Sequence, residues 1–374
     1  MTQALADVLA EIDDPETIQE ILKLSLEDAG ETSPSTQPSL STLYERYLDR
    51  RRNRSPATIA QYKRTIPRFL TFVDHNNATH PDELTPDILD QWVDELLDTY
   101  DADATAYTYT KNVRAWLKWI HRRDYCEESI YRILDKKELG LTPAARDEAI
   151  PQTEANVLLE KLRTQRFGTA MHALLELTWN TGMRIGEIHS LDLIDFKPSE
   201  PEPEITVRHR PDEGTRIKNG RERDDAPGDG ERNVIIHPDV VAALSEYIQF
   251  ERIEISDEFE RNPLFTTQHG RTACSTLRRW IYRATSCRWA DASDEITCDG
   301  QCHPDSNVCP YSYCPHAIRR GAIVSYLSNG LRPDRASGRF DVSPDVIEAH
   351  YDPRSKSQRK DDRADAVRNA WANA

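Results

Sequence analysis

Residues 314–352 read CPHAIRRGAIVSYLSNGLRPDRASGRFDVSPDVIEAHYD, and the chemistry of the chain collects there. The part from Pro315 to Asn329 is predicted helical: Ile323, Val324 and Leu327 make an apolar stripe, and Gly330 follows as a stop. His316 and Arg319 stand three apart, so on a helix they share a face and reach the same small object. Tyr351 comes 35 residues after His316, beyond a connection rich in Gly, Pro and Asp that turns the chain back. An imidazole, a guanidinium and a phenol are thereby placed to converge.

Upstream lies a mainly apolar helix, Ala170–Asn180, that ends in TGMRIGEIHSL at 181–191. Gly182 permits a sharp turn, Arg184 sits where a new helix starts, and Glu187 follows three residues on. Glu204–Arg210 and Asn233–His237 read as strands. The long hairpin between them is expected to have its tip at Lys218-Asn219-Gly220. Pro263–Thr266 is read as a short strand and Thr272–Ala284 as a helix. Residues 151–374 form one domain on this reading, with a cysteine-rich insert at 287–314, and 137–150 is a linker. Residues 39–136 form a helical domain of four or five helices, two of them opened by Ser55-Pro56 and Thr85-Pro86 as capping and first-turn residues. Residues 1–38 carry a short amphipathic pattern and then a Ser/Thr/Pro/Glu-rich linker.

The totals bound the class. A chain of 374 residues accommodates two cores. No apolar run approaches the roughly 20 residues that cross a bilayer, so no membrane association is expected. The N-terminal segment lacks a basic region followed by a hydrophobic one, so no secretory signal is expected and the location is read as cytoplasmic. The net charge of −16 argues at first against nucleic acid. Lysine, however, is scarce, 11 of the 48 Lys and Arg, while Asp and Glu number 64. That balance points to adaptation to concentrated salt, where acidic surfaces keep a protein hydrated and global charge says little about DNA. Local clusters count for more: Arg50, Arg51, Arg52 and Arg54, then Lys63 and Arg64, then Lys111, Arg114 and Lys118 fall on successive helices of the 39–136 domain. They read as a footprint on a DNA backbone.

Arg184, Lys218, His316-x-x-Arg319 and Tyr351, in that order, give the chain its resemblance to the tyrosine recombinase (phage integrase) family. TGMRIGEIHSL resembles the family's first arginine box, and PHAIRR followed by AHYD resembles its second and its nucleophile. The resemblance implies an all-α, SAM-like core-binding domain followed by a mixed α+β, mainly helical catalytic domain. It implies a site-specific DNA recombinase that cleaves and rejoins double-stranded DNA through a 3′-phosphotyrosyl link, as a homo-oligomer, a tetramer on paired sites. One departure is plain: nine residues before Tyr351, where the family usually has His or Trp, stands Val342, which donates no hydrogen bond. That keeps one alternative open, a catalytically impaired DNA-binding regulator; a separate alternative, a relaxing enzyme of the type IB topoisomerase kind, would act as a monomer without needing two sites.

The residue types suit the reaction. A tyrosine oxygen that attacks phosphorus stores the phosphodiester's energy in a covalent bond until a DNA hydroxyl reverses the step. Arg184 and Arg319 offer rigid forks to the charge that builds on the non-bridging oxygens. Lys218 is the expected acid for the leaving oxygen, and His316 a second acid/base or phosphate donor. Glu187 is expected to orient Arg184 from behind. No cofactor is needed for catalysis, because arginines supply the positive charge. Separately, Cys298, Cys302, Cys309 and Cys314 lie within 17 residues, a grouping that suits a structural zinc, with free thiols or a redox pair as alternatives.

Overall fold

A computed structural model describes residues 37–143, 148–220, 230–287, 309 and 311–351, with 364, 367, 368 and 371 beyond them. Cα proximity divides the chain into two compact units, Met1–Arg146 and Asp147–Ala374. The N-terminal amphipathic pattern falls outside the described residues.

The first unit is helical: α1 (Leu40–Asp49), α2 (Pro56–His75), α3 (Pro86–Thr99), α4 (Asp103–His121) and α5 (Glu128–Arg132). Their starts follow the capping residues. Ser55 Oγ accepts from the Thr58 amide at 3.2 Å, and Thr85 Oγ1 from the Ile88 amide at 3.3 Å. Each serves one amide that the helix itself leaves unpaired. The core is aromatic, with Trp92, Trp116, Tyr47 and Phe69 fully buried and Phe69 edge-on to Trp92 at 4.8 Å. Such rings bury large areas on few rotatable bonds, so a small domain gains much from each.

The second unit is built around α7 (Ala170–Thr181), which is buried on nearly every side. Packed on it are α6 (Gln152–Gln165), α9 (Pro238–Phe250), α10 (Cys274–Ala284) and α11 (Pro315–Ser328). A six-residue helix, α8 (Ile185–Ser190), follows α7 directly. Strands β1 (Phe196–Lys197), β2 (Glu204–Val207) and β3 (Arg232–Ile235) form an antiparallel sheet, and β4 (Thr266–Thr267) pairs with β5 (Gly270–Arg271). Beyond α11 come α12 (Pro333–Phe340) and α13 (Pro344–His350), which close a small cluster of Ile323, Leu327, Phe340, Ile347 and Tyr351.

Two local expectations change. Pro263 makes only an isolated bridge to Asp192, and the strand begins at Thr266, since a proline offers no amide to a ladder. Lys218-Asn219-Gly220 is not the hairpin's tip either. The Asn219 carbonyl accepts from the Gly230 amide at 3.1 Å, so these residues face each other across the connection, which runs on through 221–229, outside the described residues. The tight turn lies earlier, at Pro211–Gly214, where Arg210 bridges Thr215 and Gly214 takes a φ of 77°.

Candidate active site

The turn from α7 to α8 places the first arginine. Gly182 closes α7 with a φ of 58°, and a Cβ there would lie 2.7 Å from the Phe340 ring. Only glycine allows both the left-handed turn and the contact with the end of α12. Arg184 then caps α8, with its amide donating to Glu187 Oε2 at 2.9 Å and its Nη1 to Glu187 Oε1 at 2.9 Å. Glu187 is buried and also accepts from Arg232 on β3 at 3.0 Å. Burial works against its charge, but Arg232 first, and then Arg319 and Arg184, hold its carboxyl below the usual carboxylate range.

Helix α11 supplies the rest. Arg319 is buried and donates to the Gly182 carbonyl and, at 2.5 Å, to the Phe340 carbonyl, so it ties the end of α7 to the end of α12. Burial, and then Arg184 beside it, push its guanidinium down to about 10, which still leaves it charged at neutral pH. His316 lies one turn earlier. Burial first, then the charges of Arg319, Arg320, Arg184 and Lys218, hold its imidazole below the ordinary value, so it is neutral at pH 7. Arg184, His316 and Arg319 line one cleft of about 320 Å³, together with Arg278 and Tyr282 from α10 and with Cys314 and Pro315.

Tyr351 follows α13 and is mostly buried, with the Arg320 guanidinium 5.3 Å from its ring centre and Arg319 within range of its charge. Its hydroxyl makes no hydrogen bond to another described residue. Lys218 is exposed, and its charge is the last of those that hold the His316 imidazole below its ordinary value. Val342 packs with the α12–α13 cluster, and of the donors near it Arg339 is turned away, onto the Ile235 and Asn180 carbonyls.

Several residues here were not assigned to the site from the sequence. Arg320 lies on the flank of α11 that meets Tyr351. Arg278 and Tyr282 stand one turn apart on the polar face of α10, a spacing that is visible but undistinguished in so arginine-rich a chain. Asp341 gave no signal: it takes a left-handed φ of 51° at the end of α12 and accepts from Arg184 Nη1 at 2.5 Å.

In the helical unit the basic residues differ in how far they are committed. Arg50, Arg52, Arg54, Lys63, Arg64 and Lys111 are exposed, Arg51 lies over the Tyr47 ring at 4.3 Å, and Lys118 lies 5.7 Å from the Tyr131 ring. Arg114 is paired with Asp135 at 2.7 Å. Of the four clustered cysteines, Cys298 and Cys302 lie outside the described residues, Cys309 is buried, and Cys314 caps α11 at the cleft. Among the described residues no helix is long and apolar enough to cross a membrane.

Residues 42–123 match the family model for the phage integrase N-terminal SAM-like domain. The chain is 23% identical over 328 residues to the tyrosine recombinase XerD of Staphylococcus epidermidis, covering 85% of this chain and 96% of that one. Its likeness to XerD of Staphylococcus aureus strain N315 is 22% over 323 residues, covering 84% and 94%. Among solved structures it resembles the Tn1549 transposon integrase in complex with circular intermediate DNA, with a TM-score of 0.64, 14% identity, and 88% and 99% of the two chains covered. It also resembles a lambda integrase tetramer bound to a Holliday junction, with a TM-score of 0.59, 13% identity, and 92% and 89% covered. At these identities the structural likeness speaks for the fold.

Proposed function

The chain belongs to the tyrosine recombinase and integrase family, and from that premise we propose how its own residues carry out site-specific DNA cleavage and rejoining. Tyr351 Oη attacks the scissile phosphorus. A phosphotyrosyl bond forms on the 3′ side, and the bond to the 5′ oxygen breaks. The neutral imidazole of His316 is the group suited to take the phenol's proton, and the Lys218 ammonium gives one to the leaving oxygen. Arg184 and Arg319 hold the charge of the five-coordinate phosphorus, with Arg184 braced by Glu187. Attack by a 5′ hydroxyl of another strand reverses each transfer and rejoins the DNA, with no net loss of phosphodiester energy.

The observation that carries this reading is the shared cleft of Arg184, His316 and Arg319, with Tyr351 on the same helix's flank. The exposed cations of the helical unit would hold the duplex backbone, and the acidic remainder of the surface suits work in concentrated salt. Assembly as a homo-oligomer on paired sites in the cytoplasm completes the proposal, in line with the tetrameric neighbour.

The test starts with duplexes of randomised sequence nicked so that the product strand diffuses away. Protein covalently bound to DNA is expected, and sequencing the trapped DNA defines the site. Tyr351→Phe should abolish the adduct while DNA binding persists. An adduct that survives the substitution removes Tyr351 as nucleophile, and no adduct from the unaltered chain would favour a regulator.

A further inference from the structure

Asp341 sits between the two halves of the site. Its carboxylate accepts from Arg184 Nη1, and the Asn219 amide donates to both of its oxygens, at 2.8 and 2.9 Å. Its backbone carbonyl accepts from Arg184 Nη2 at 2.6 Å. The side chain is only 7% exposed, so this anion lies beneath Arg184 and does not line the open cleft. Asn219 is the neighbour of Lys218, and its carbonyl is held by the Gly230 amide. Next to it, Gly220 packs so closely that a Cβ would come within 2.2 Å of the His209 ring. The chain around Lys218 is therefore held at three points, and one of them is the bond from the Asn219 side chain to Asp341.

An aspartate at a left-handed position costs more than glycine would. The carboxylate repays that strain by accepting from two donors whose backbones lie 122 and 157 residues away in sequence. A long, exposed lysine has high rotamer entropy and reaches a leaving oxygen only if its backbone is held near.

We propose that Asn219 and Asp341 form a latch that positions Lys218 against the Arg184 side of the cleft, with Asp341 as the shared positioning residue for both cations. The inference rests on the reading of Lys218 as the acid that protonates the leaving 5′ oxygen. The latch touches neither the phosphate nor the nucleophile; it acts through Lys218 and Arg184.

A leaving group that needs no proton separates these roles. In a duplex of the selected site carrying sulfur in place of the bridging 5′ oxygen, the P–S bond breaks and a thiolate leaves unprotonated. Lys218→Ala is expected to slow cleavage of the oxygen duplex and to recover on the sulfur duplex. Asn219→Ala, at an exposed position that should not disturb folding, should slow the oxygen duplex by about 10- to 100-fold and recover to within about threefold on sulfur. Asp341→Gly keeps the backbone carbonyl for Arg184 and suits the left-handed turn. It should lose rate on both duplexes, with the larger loss on oxygen. The latch is overturned if Lys218→Ala recovers on sulfur while Asn219→Ala is equally slow on both duplexes, or is not slow on either. If Lys218→Ala itself fails to recover, the assignment of the acid fails, and the latch with it.

Discussion

The two ends of α8 hold the same residue type in opposite electrostatic settings. At its N-terminus Arg184 and Arg232 meet Glu187 and Asp341, while the charges of Arg319, Arg320, Arg184 and Lys218 converge on His316. Just past its C-terminus, Arg210, Arg261 and Arg271 meet Asp192, Asp195 and Asp257 in a closed network. Arg210 grips Asp195 with both Nη atoms at 2.8 and 3.0 Å, and Arg271 reaches Asp192 and Asp257 at 2.6 Å each. Asp195 is fully buried and Asp192 nearly so. There every guanidinium is answered by a carboxylate, and the cluster ties the turn before β4, the end of α8 and the 211–215 turn into one body. At the other end cations outnumber anions, and the excess is what a phosphodiester would neutralise. A larger hollow of about 450 Å³ beside the closed network is lined by Glu213, Asp257 and Glu258 against Arg271, so it offers a polyanion no grip.

This contrast is open to direct challenge. The largest expected effect lies in the matched network. Arg271→Ala takes a 2.6 Å pair from Asp192, which keeps Arg261 and Arg210, and from Asp257, which is left with backbone amides alone, and should destabilise the protein by roughly 3 kcal/mol. Urea titration of the purified variant would show it as a lower midpoint with an unchanged slope, and a midpoint equal to that of the unaltered chain would break the comparison. Arg184→Ala should do the reverse. Glu187 keeps Arg232 and Asp341 keeps Asn219, so stability should change little, while single-turnover cleavage falls by about 10²- to 10³-fold. A variant that unfolds at the same rate at which it loses activity would make Arg184 a structural residue like Arg271.

The smallest effect sharpens the comparison through protons. His316 titrates below its ordinary value because it is buried and faces the charges of Arg319, Arg320, Arg184 and Lys218. Since the folded value lies under the unfolded one, its contribution to stability is fully present above about pH 6.5 and is lost as the pH falls toward the folded value. A bound phosphate offsets the same cations and raises the imidazole's affinity for a proton. DNA affinity at fixed salt should therefore strengthen on acidification through the free protein's titration, by less than about tenfold, and His316→Gln should flatten the curve. An unchanged pH profile in His316→Gln would place the imidazole outside the phosphate's field.

Much of this was legible in local pattern. Helix periods, the Ser55-Pro56 and Thr85-Pro86 starts, and the glycine before Arg184 are read within a few residues, because capping and left-handed turns are short-range effects. The hairpin misled for the same reason: Asn-Gly is a strong local turn signal, but the Gly230 amide met the Asn219 carbonyl and the turn formed at Pro211–Gly214 instead. Helix geometry says only that Arg320, one step round from Arg319, points elsewhere. What it points at, Tyr351, is fixed by how α12 and α13 fold back.

The amino-acid sequence by itself determined which side chains carry charge, nucleophile and proton, and the order in which the chain presents them. Only the tertiary structure decided which arginines are neutralised and which are left over. That depends on carboxylates such as Asp341, 157 residues from Arg184, and a Coulomb interaction is set by distance in space and by burial, neither of which is written in sequence spacing.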